Sequence, residues 1–214
     1  DILIGAPTAG GKTEAAFLPI VTKLAFEDST GLGCLCVSPL KALINDQYRR
    51  IVPLCESAAV RAHRWHGDVP KREKQSLLNS PSGVLLITPE SVEAMLVNRA
   101  SSLKNLFGCL RYVVIDELHA FIGHERGKQV QSLLHRIELF CRRRIPRIGL
   151  SATLGDMNIA GGFLRPHAED LPYQIESEGG GSEIRIILKG YRTEAVDASD
   201  TEVPAEKLGT GDLY

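Results

Sequence analysis

The feature that most constrains this sequence is a regular alternation between short apolar runs and longer amphipathic stretches. The apolar runs have no polar face, as expected of buried parallel strands that are covered on both sides. They lie at residues 2–6, 34–38, 84–88, 112–116 and 148–152, with a further run at 61–65. The amphipathic stretches begin after residue 12, cover 40–51, begin again near residue 89, and cover 127–144. This alternation predicts an α/β fold of three layers, with a doubly wound and mainly parallel sheet between helices.

The charge balance excludes a nucleic-acid binder that works through its overall charge. Lys and Arg number 25 against 26 Asp and Glu, so the net charge is -1 and any nucleic-acid contact must come from a local patch. No apolar run approaches the ~20 residues of a membrane span, so no membrane partner is expected. The five cysteines form no CxxC pair, which disfavours metal or disulfide use and favours a reducing, cytoplasmic location.

The composition changes near residue 179, which divides the chain into two predicted parts. Residues 1–178 are expected to form one domain. Residues 179–214 begin with three glycines and a serine, continue with a strand pattern over 183–188, and end in a polar, acidic stretch. We expect this second part to be a linker toward a further domain. Because Asp1 is not a natural first residue, a preceding segment is also expected.

A glycine-rich loop follows the first apolar run and opens the first amphipathic stretch. Its sequence is Ala6-Pro7-Thr8-Ala9-Gly10-Gly11-Lys12-Thr13. This is the P-loop arrangement, in which backbone N–H groups and the amino end of a helix surround phosphate oxygens. The segment from Pro7 to Thr13 is therefore expected to bind ATP. Lys12 would reach the β- and γ-phosphates, and the Thr13 hydroxyl would bind Mg²⁺.

A second group of polar residues, Asp116-Glu117-Leu118-His119, follows the apolar run that starts at Tyr112. In a parallel sheet, residues at the carboxyl ends of the strands share one edge, so this group should lie near the P-loop. Asp116 is expected to hold Mg²⁺, through water. Glu117 is expected to orient and deprotonate the attacking water. The two carboxylates thus predict the second half of an ATPase site.

The Asp-Glu-Leu-His group resembles the DEAH/DExH box of the superfamily 2 DEAD/DEAH-box helicases. Other first-domain motifs of that family occur in the right order: residues 38–43, 88–91 and 151–153 resemble motifs Ia, Ib and III, and residues 65–68 resemble the HGD element. The stretch 114–129 is most similar to the Lhr-type (large helicase-related) enzymes. The resemblance covers residues 1–164. It implies a RecA-like P-loop ATPase domain that uses ATP and Mg²⁺, contacts DNA or RNA, and works with a second RecA-like domain of the same chain.

The resemblance also implies roles for individual residues. Motifs Ia and Ib begin helices, whose free N–H groups can bind backbone phosphates. The residues assigned to nucleic acid are Ser38, Pro39, Lys41, Gly67, Asp68, Thr88, Pro89 and Glu90. The catalytic set is Lys12, Asp116, Glu117 and His119, and the residues that couple the γ-phosphate to domain movement are Ser151, Ala152 and Thr153.

Some features have more than one interpretation. The arginines at 142–144 fit either a basic helix end or a nucleic-acid patch. Trp65 fits either core packing or stacking on a base. For the chain as a whole, the leading hypothesis is an ATP-driven helicase or translocase. The alternatives are a translocating subunit of a restriction or defence system that does not separate strands, and a nucleotide-gated binding module without useful turnover.

Overall fold

Strands and helices alternate along the part of the chain that the computed structural model describes, residues 1–7, 10–26, 31–99, 102–152, 156–166 and 170–177. The strands are β1 (Ile2–Gly5), β2 (Gly31–Val37), β3 (Ala62–Trp65), β4 (Ser82–Ile87), β5 (Tyr112–Ile115), β6 (Arg147–Ser151) and β7 (Tyr173–Glu176). The helices are α1 (Lys12–Phe26), α2 (Lys41–Ser57), α3 (Lys71–Asn79), α4 (Pro89–Asn98), α5 (Leu103–Phe107), α6 (Glu125–Cys141) and α7 (Met157–Leu164), with a short 3-10 turn at Leu118–Ala120.

The strands of this described part form one seven-stranded sheet in the order β3-β4-β2-β5-β6-β1-β7. Every pair of neighbouring strands is parallel. The carboxyl ends of the strands therefore meet at one edge of the sheet. The predicted α/β fold with a mainly parallel sheet is confirmed.

Two apolar cores lie on opposite faces of the sheet. On one face, α1 and α2 pack against the strands through side chains such as Phe17 and Ile44. On the other face, α3 to α7 pack through side chains such as Met95, Phe107 and Leu134. The sheet is thus covered on both sides, which is why its strands read as apolar runs without a polar face.

The alternation of side chains along β2 places its two cysteines in the first of these cores. Cys34 and Cys36 are fully buried on the side of α1 and α2, whereas Leu35 and Val37 lie in the core on the other side. Burial raises the pKa of both thiols, so they remain protonated at neutral pH. They act as small apolar residues, as predicted.

Several elements gave too weak a signal to be predicted. Leu77 is the buried residue of α3, α5 has five residues, α7 has eight, and the side chains of β7 are exposed. None of these segments therefore shows a clear periodicity. The helix predicted over 127–144 runs instead over Glu125–Cys141, because Arg142 adopts a left-handed conformation (φ 52°) that ends it.

A buried ionic cluster joins four elements at the amino ends of β1 and β6. The Glu138 carboxylate on α6 accepts hydrogen bonds from Arg147 (2.8 Å) and Arg165 (2.7 and 3.0 Å). The Asp1 carboxylate accepts two from Arg165 (2.9 Å each) and one from the backbone N–H of Arg147 (2.8 Å). These four side chains are between 5% and 15% exposed. Each buried charge therefore depends on its partners, and together they fasten β1, β6 and the ends of α6 and α7.

The arginines at 142–144 belong to the same region. Arg143 donates a hydrogen bond to the Leu110 carbonyl (2.5 Å), and Arg144 donates to Asp1 (3.0 Å). Arg142 ends α6. Two of the three side chains are thus bound within the fold, which favours the interpretation as a helix end over a nucleic-acid patch.

The chain divides into two units, residues 1–180 and 181–214. The second unit, with the strand predicted over 183–188, lies outside the described residues, so the domain boundary predicted after residue 178 stays a prediction. In the part of the chain that is described, no helix is long and apolar enough to span a membrane.

The variant Glu138→Gln tests the ionic cluster. It preserves the shape of the side chain but leaves Arg147 and Arg165 without one counter-charge in a buried position. We expect the free energy of unfolding, measured by urea denaturation, to fall by about 3–5 kcal/mol. The matched control is Glu125→Gln on the same helix, because the Glu125–Lys128 pair is exposed and its loss should cost about 1 kcal/mol or less. Equal losses for both variants would contradict the role of the cluster.

Glu138 should also make the stability depend on pH. Burial raises the pKa of Glu138, but the hydrogen bond from Arg165 and the nearby charges outweigh it, so the net pKa is lowered. A carboxyl group of this kind stabilises the fold above its unfolded pKa of about 4.3 and loses that contribution as the pH falls through its folded pKa. The difference in unfolding free energy between wild type and Glu138→Gln should therefore be largest at neutral pH and decrease as the pH falls. A difference that stays constant down to acidic pH would contradict this link between the ionisation of Glu138 and stability.

Candidate functional site

The loop between β1 and α1 is shaped by its glycines. The Gly10 N–H donates to the Pro7 carbonyl at 2.9 Å, and a Cβ on Gly10 would lie 2.8 Å from that same oxygen. Gly11 has a φ of +75°, which glycine adopts without strain. Both positions therefore require glycine for the tight turn into α1. Thr8 and Ala9 lie outside the described residues.

Lys12 and Thr13 begin α1 directly after this turn. The Lys12 ammonium donates hydrogen bonds to the carbonyl oxygens of Ala6 (2.5 Å) and Pro7 (2.9 Å). Thr13 is buried. A cation, a hydroxyl group and the positive end of a helix dipole thus meet at one glycine-rich turn. This set of groups fits the phosphates of a nucleotide, and the binding of ATP by Lys12 and Thr13 stays a prediction.

Asp116 lies at the carboxyl end of β5 and is almost completely buried. Its carboxylate accepts hydrogen bonds from the Ser38 hydroxyl (3.3 Å) and from the Gln47 amide (3.1 Å). Burial raises the pKa of Asp116 and the Glu117 carboxylate adds to the rise, while the bonds from Gln47 and Ser38 oppose it. The fold thus holds a carboxylate in a place where a bound cation would be strongly favoured.

Glu117 and His119 follow in a strained turn. Glu117 has a left-handed conformation with φ 48° and ψ 50°, which is uncommon for a residue other than glycine. The His119 Nδ1 lies 3.4 Å from the Glu117 carboxylate and 3.2 Å from the Ser151 hydroxyl. The histidine therefore bridges the end of β5 and the end of β6.

The parallel register brings these groups to one edge of the sheet. Gly5 pairs with Ser151, and Val37 pairs with Ile115. Beyond the strand ends, the Ala6 N–H still donates to the Ser151 carbonyl at 3.2 Å. The P-loop, the acidic group and Ser151 are therefore neighbours in space. Ala152 follows Ser151 and is half-buried, while Thr153 lies outside the described residues.

The predicted nucleic-acid residues form the neighbouring part of this edge. Lys41, in the first turn of α2, forms an exposed ion pair with Asp68 (3.0 Å), next to Gly67. Thr88 caps α4 by accepting a hydrogen bond from the Ser91 N–H. The HGD element and the starts of α2 and α4 are thus adjacent, as parallel strand ends require.

Not every predicted nucleic-acid residue presents its side chain to solvent. Ser38, Pro39, Thr88 and Pro89 are buried, and the Ser38 hydroxyl points to Asp116. Ser38 therefore supports Asp116 through its hydroxyl group. Because the side chains at these four positions are buried, any contact with a nucleic-acid strand there would come from backbone groups.

Glu90 is exposed but already paired. Its carboxylate accepts two hydrogen bonds from Arg126 on α6 (2.7 and 3.1 Å), and one turn later Gln129 donates to Glu93. These contacts form a two-step ladder between α4 and α6. The helix that follows motif Ib is thereby tied to the helix that follows the acidic group.

The analysis of the sequence missed Gln47, and it did not predict the contact of Arg126 with Glu90. Gln47 occupies the apolar face of α2 together with Ile44 and Ile51, and a polar residue at such a position is a usable signal of a buried partner. Arg126 gives no comparable signal, because its partner lies 36 residues away. Trp65 is only 8% exposed, in agreement with the packing interpretation.

Comparison with protein families identifies the family of the chain. The model of the DEAD/DEAH box helicase family matches residues 1–160. The chain is 32% identical over 182 residues to the ATP-dependent helicase Lhr-Core of Methanothermobacter thermautotrophicus, which is 77% of this chain and 20% of that protein. It is 34% identical over 183 residues to the Lhr helicase/uracil glycosylase of Escherichia coli, 76% of this chain and 12% of that protein. The chain thus spans a fifth or less of the length of these relatives.

Solved structures give the same answer for the fold. The Mycobacterium smegmatis helicase Lhr bound to ssDNA and AMP-PNP matches with a TM-score of 0.72 and 32% identity, over 82% of this chain and 24% of that one. The DUF1998 helicase MrfA bound to DNA matches with a TM-score of 0.69 and 25% identity, over 83% and 25%. These are RecA-like helicase domains, and the predicted RecA-like fold is confirmed. The chain belongs to the DEAD/DEAH box helicase family.

Proposed function

We propose that this chain is an ATP-binding motor domain that hydrolyses ATP with Mg²⁺ to move along or unwind nucleic acid. The observation that supports this most is the meeting of Lys12, Asp116, Glu117 and the His119–Ser151 contact at one sheet edge. A cation for phosphates, a buried carboxylate and a second, accessible carboxylate are what phosphoryl transfer to water needs. The presence of all three argues against a binding module without turnover.

The residues divide the chemical work between them. Lys12 leaves the Ala6 and Pro7 carbonyls and binds the β- and γ-phosphates. Glu117 orients the attacking water and accepts its proton. The Thr13 hydroxyl would hold Mg²⁺ directly and the Asp116 carboxylate would hold it through water. The ion would supply positive charge that offsets the charge of the phosphates. Among the described residues no cluster of His, Cys, Asp and Glu forms a metal cage, and Mg²⁺ bound by few carboxylates and by phosphates requires none.

We further propose that His119 passes the state of the γ-phosphate to Ser151 and to the segment that follows it, including Ala152 and Thr153. Its ring already contacts both Glu117 and Ser151. A change of the proton or hydrogen-bond partner at Glu117 therefore reaches the end of β6 through one side chain. A second RecA-like domain of the same protein would respond by closing and reopening.

The nucleic acid is proposed to lie over the starts of α2 and α4. Contacts there come from Lys41, from the backbone at Gly67, and from the N–H groups at the amino end of α4. Such contacts position a strand without reading its sequence. The Lhr and MrfA structures contain DNA, so single-stranded DNA is the first polymer to test.

The proposed location is the cytoplasm. All five cysteines are free thiols, and burial keeps three of them protonated. A reducing compartment suits this state.

The variant Lys12→Ala should lose most of its affinity for Mg-ATP. The described part of the loop has no other side-chain cation, and a hydrogen bond to a charged group is worth about 1.5–3 kcal/mol, or roughly tenfold to a hundredfold in affinity. Isothermal titration calorimetry measures the change. Lys23→Ala, at the far end of the same helix, is the matched control and should bind as wild type. Unchanged affinity of Lys12→Ala would remove Lys12 from the site.

The variant Glu117→Gln should bind ATP normally but hydrolyse it slowly. Gln preserves the size of the side chain and removes the proton acceptor, and general-base catalysis is worth about 10²–10⁴-fold in rate. Steady-state ATPase assays on the intact protein with single-stranded DNA present measure kcat, with Glu125→Gln as a control outside the site. Near wild-type kcat in Glu117→Gln would assign the base to another group.

A further inference from the structure

A pocket of about 400 Å³ opens between α3 and α4 beside the carboxyl end of β3. This volume lies within the ~300–1,000 Å³ typical of small-ligand sites. Three cations line it, Lys71, Lys74 and Arg99, together with apolar surface that includes Met95. Among the described residues, no carboxylate lines the pocket. In a chain of net charge -1, such a concentration of positive charge is a local feature.

The floor of this α3–α4 pocket is Trp65, over which two of the cations are placed. The Lys74 ammonium lies 5.6 Å from the centre of the ring, and the Arg99 guanidinium lies 5.8 Å from it. Lys74 also makes a long hydrogen bond to the Gly67 carbonyl (3.4 Å). In the described part of the chain, neither cation forms an ion pair within 4.0 Å, although Asp68, which pairs with Lys41, is near enough to feel the charge of Lys74. Both charges are therefore held in place by weak contacts, which an anion can replace.

The acidic residues of α4 do not cancel this charge. Glu90 accepts hydrogen bonds from Arg126, and Glu93 accepts one from Gln129. Both carboxylates are thus engaged with α6. Because these two carboxylates face α6, Arg99 is the charged residue that α4 and its carboxyl-terminal cap present to the pocket.

The α3–α4 pocket also adjoins the proposed path of the nucleic acid. Ser91, in the first turn of α4, lines one wall and bonds to the capping residue Thr88. Lys74 bonds to Gly67 of the HGD element. A nucleic-acid strand that crosses the starts of α2 and α4 would therefore place the nucleotide that follows those contacts at the pocket.

We propose that the α3–α4 pocket binds one nucleotide of a single-stranded nucleic acid, with its phosphates on Lys71, Lys74 and Arg99 and its sugar and base against the apolar wall. This inference rests on the proposed function. A phosphate offers these cations charged acceptors, which are stronger partners than an aromatic ring. The pocket would thus add a contact to the nucleic-acid strand next to those made by motifs Ia and Ib.

The single tryptophan of the chain gives a direct test. Trp65 is the one Trp in the 214 residues, and both cations over its ring must move when phosphate binds. Titration with a single-stranded DNA oligonucleotide should change the Trp emission with the same midpoint as binding followed by fluorescence anisotropy of a labelled strand.

The variant Lys74→Gln/Arg99→Gln should weaken strand binding about tenfold. The slope of log affinity against log salt should fall by roughly 0.7 for each lost phosphate contact. The matched control is Lys23→Gln, which removes a cation 6.0 Å from the ring of Tyr112, away from the pocket. It should leave affinity and salt slope unchanged. Circular dichroism melting of each variant checks that it folds, and Lys71→Gln provides a second, single-charge test.

The outcomes separate this inference from the proposed function. Strand binding without a Trp signal, or with full affinity in Lys74→Gln/Arg99→Gln, overturns the nucleotide pocket and leaves the proposed function intact. An equal signal with polyaspartate also overturns it, because the pocket would then be a general anion site. Absence of any strand binding by wild type counts against the proposed function itself.

Discussion

The arrangement of the site depends on the burial of one charge. Asp116 is 2% exposed, and a buried carboxylate persists only where hydrogen-bond donors or a cation compensate for lost water. The donors come from β2, through Ser38, and from α2, through Gln47. Because α2 also carries Lys41 in its first turn, the helix that supports the acidic group is the helix whose start borders the proposed nucleic-acid path. Gln47 is the side chain through which that helix contacts Asp116.

The positions of the site residues along the chain could be predicted from the sequence. The contacts between side chains that are distant in the sequence could not. The glycines of the loop, Lys12, and the carboxylates at 116 and 117 are placed by the strand that precedes them, so apolar runs and turn residues were enough to locate them. The structure confirms that these groups share one sheet edge. The order of the strands fixes which side chains then meet, and nothing near Ser38 in the sequence indicates that its hydroxyl faces Asp116. The same holds for the contact between Glu90 and Arg126.

The small elements were missed for a related reason. The helix α3 has one buried residue, and most of its other residues are charged or polar, so apolar residues do not recur at helical spacing in its sequence. Its importance comes from where it lies, because it supplies Lys71 and Lys74 to the wall above Trp65. Surface sites on weakly patterned, charged helices at the edge of a sheet are thus the most easily overlooked. The roles of the site residues on motifs Ia and Ib stay predictions.

The hydrogen bonds of Lys12 have a consequence for which ligands the loop accepts. The ammonium is already satisfied by two carbonyl oxygens of its own loop, so a ligand enters by exchange and not by simple addition. Neutral acceptors offer little advantage over those carbonyls, whereas oxygens that carry formal charge form markedly stronger bonds. The two carbonyl oxygens thus compete with a ligand for the Lys12 ammonium, and a ligand oxygen with a formal negative charge competes best. Under the proposed function, a polyphosphate would therefore replace the two carbonyls more readily than a sugar hydroxyl or a water molecule would.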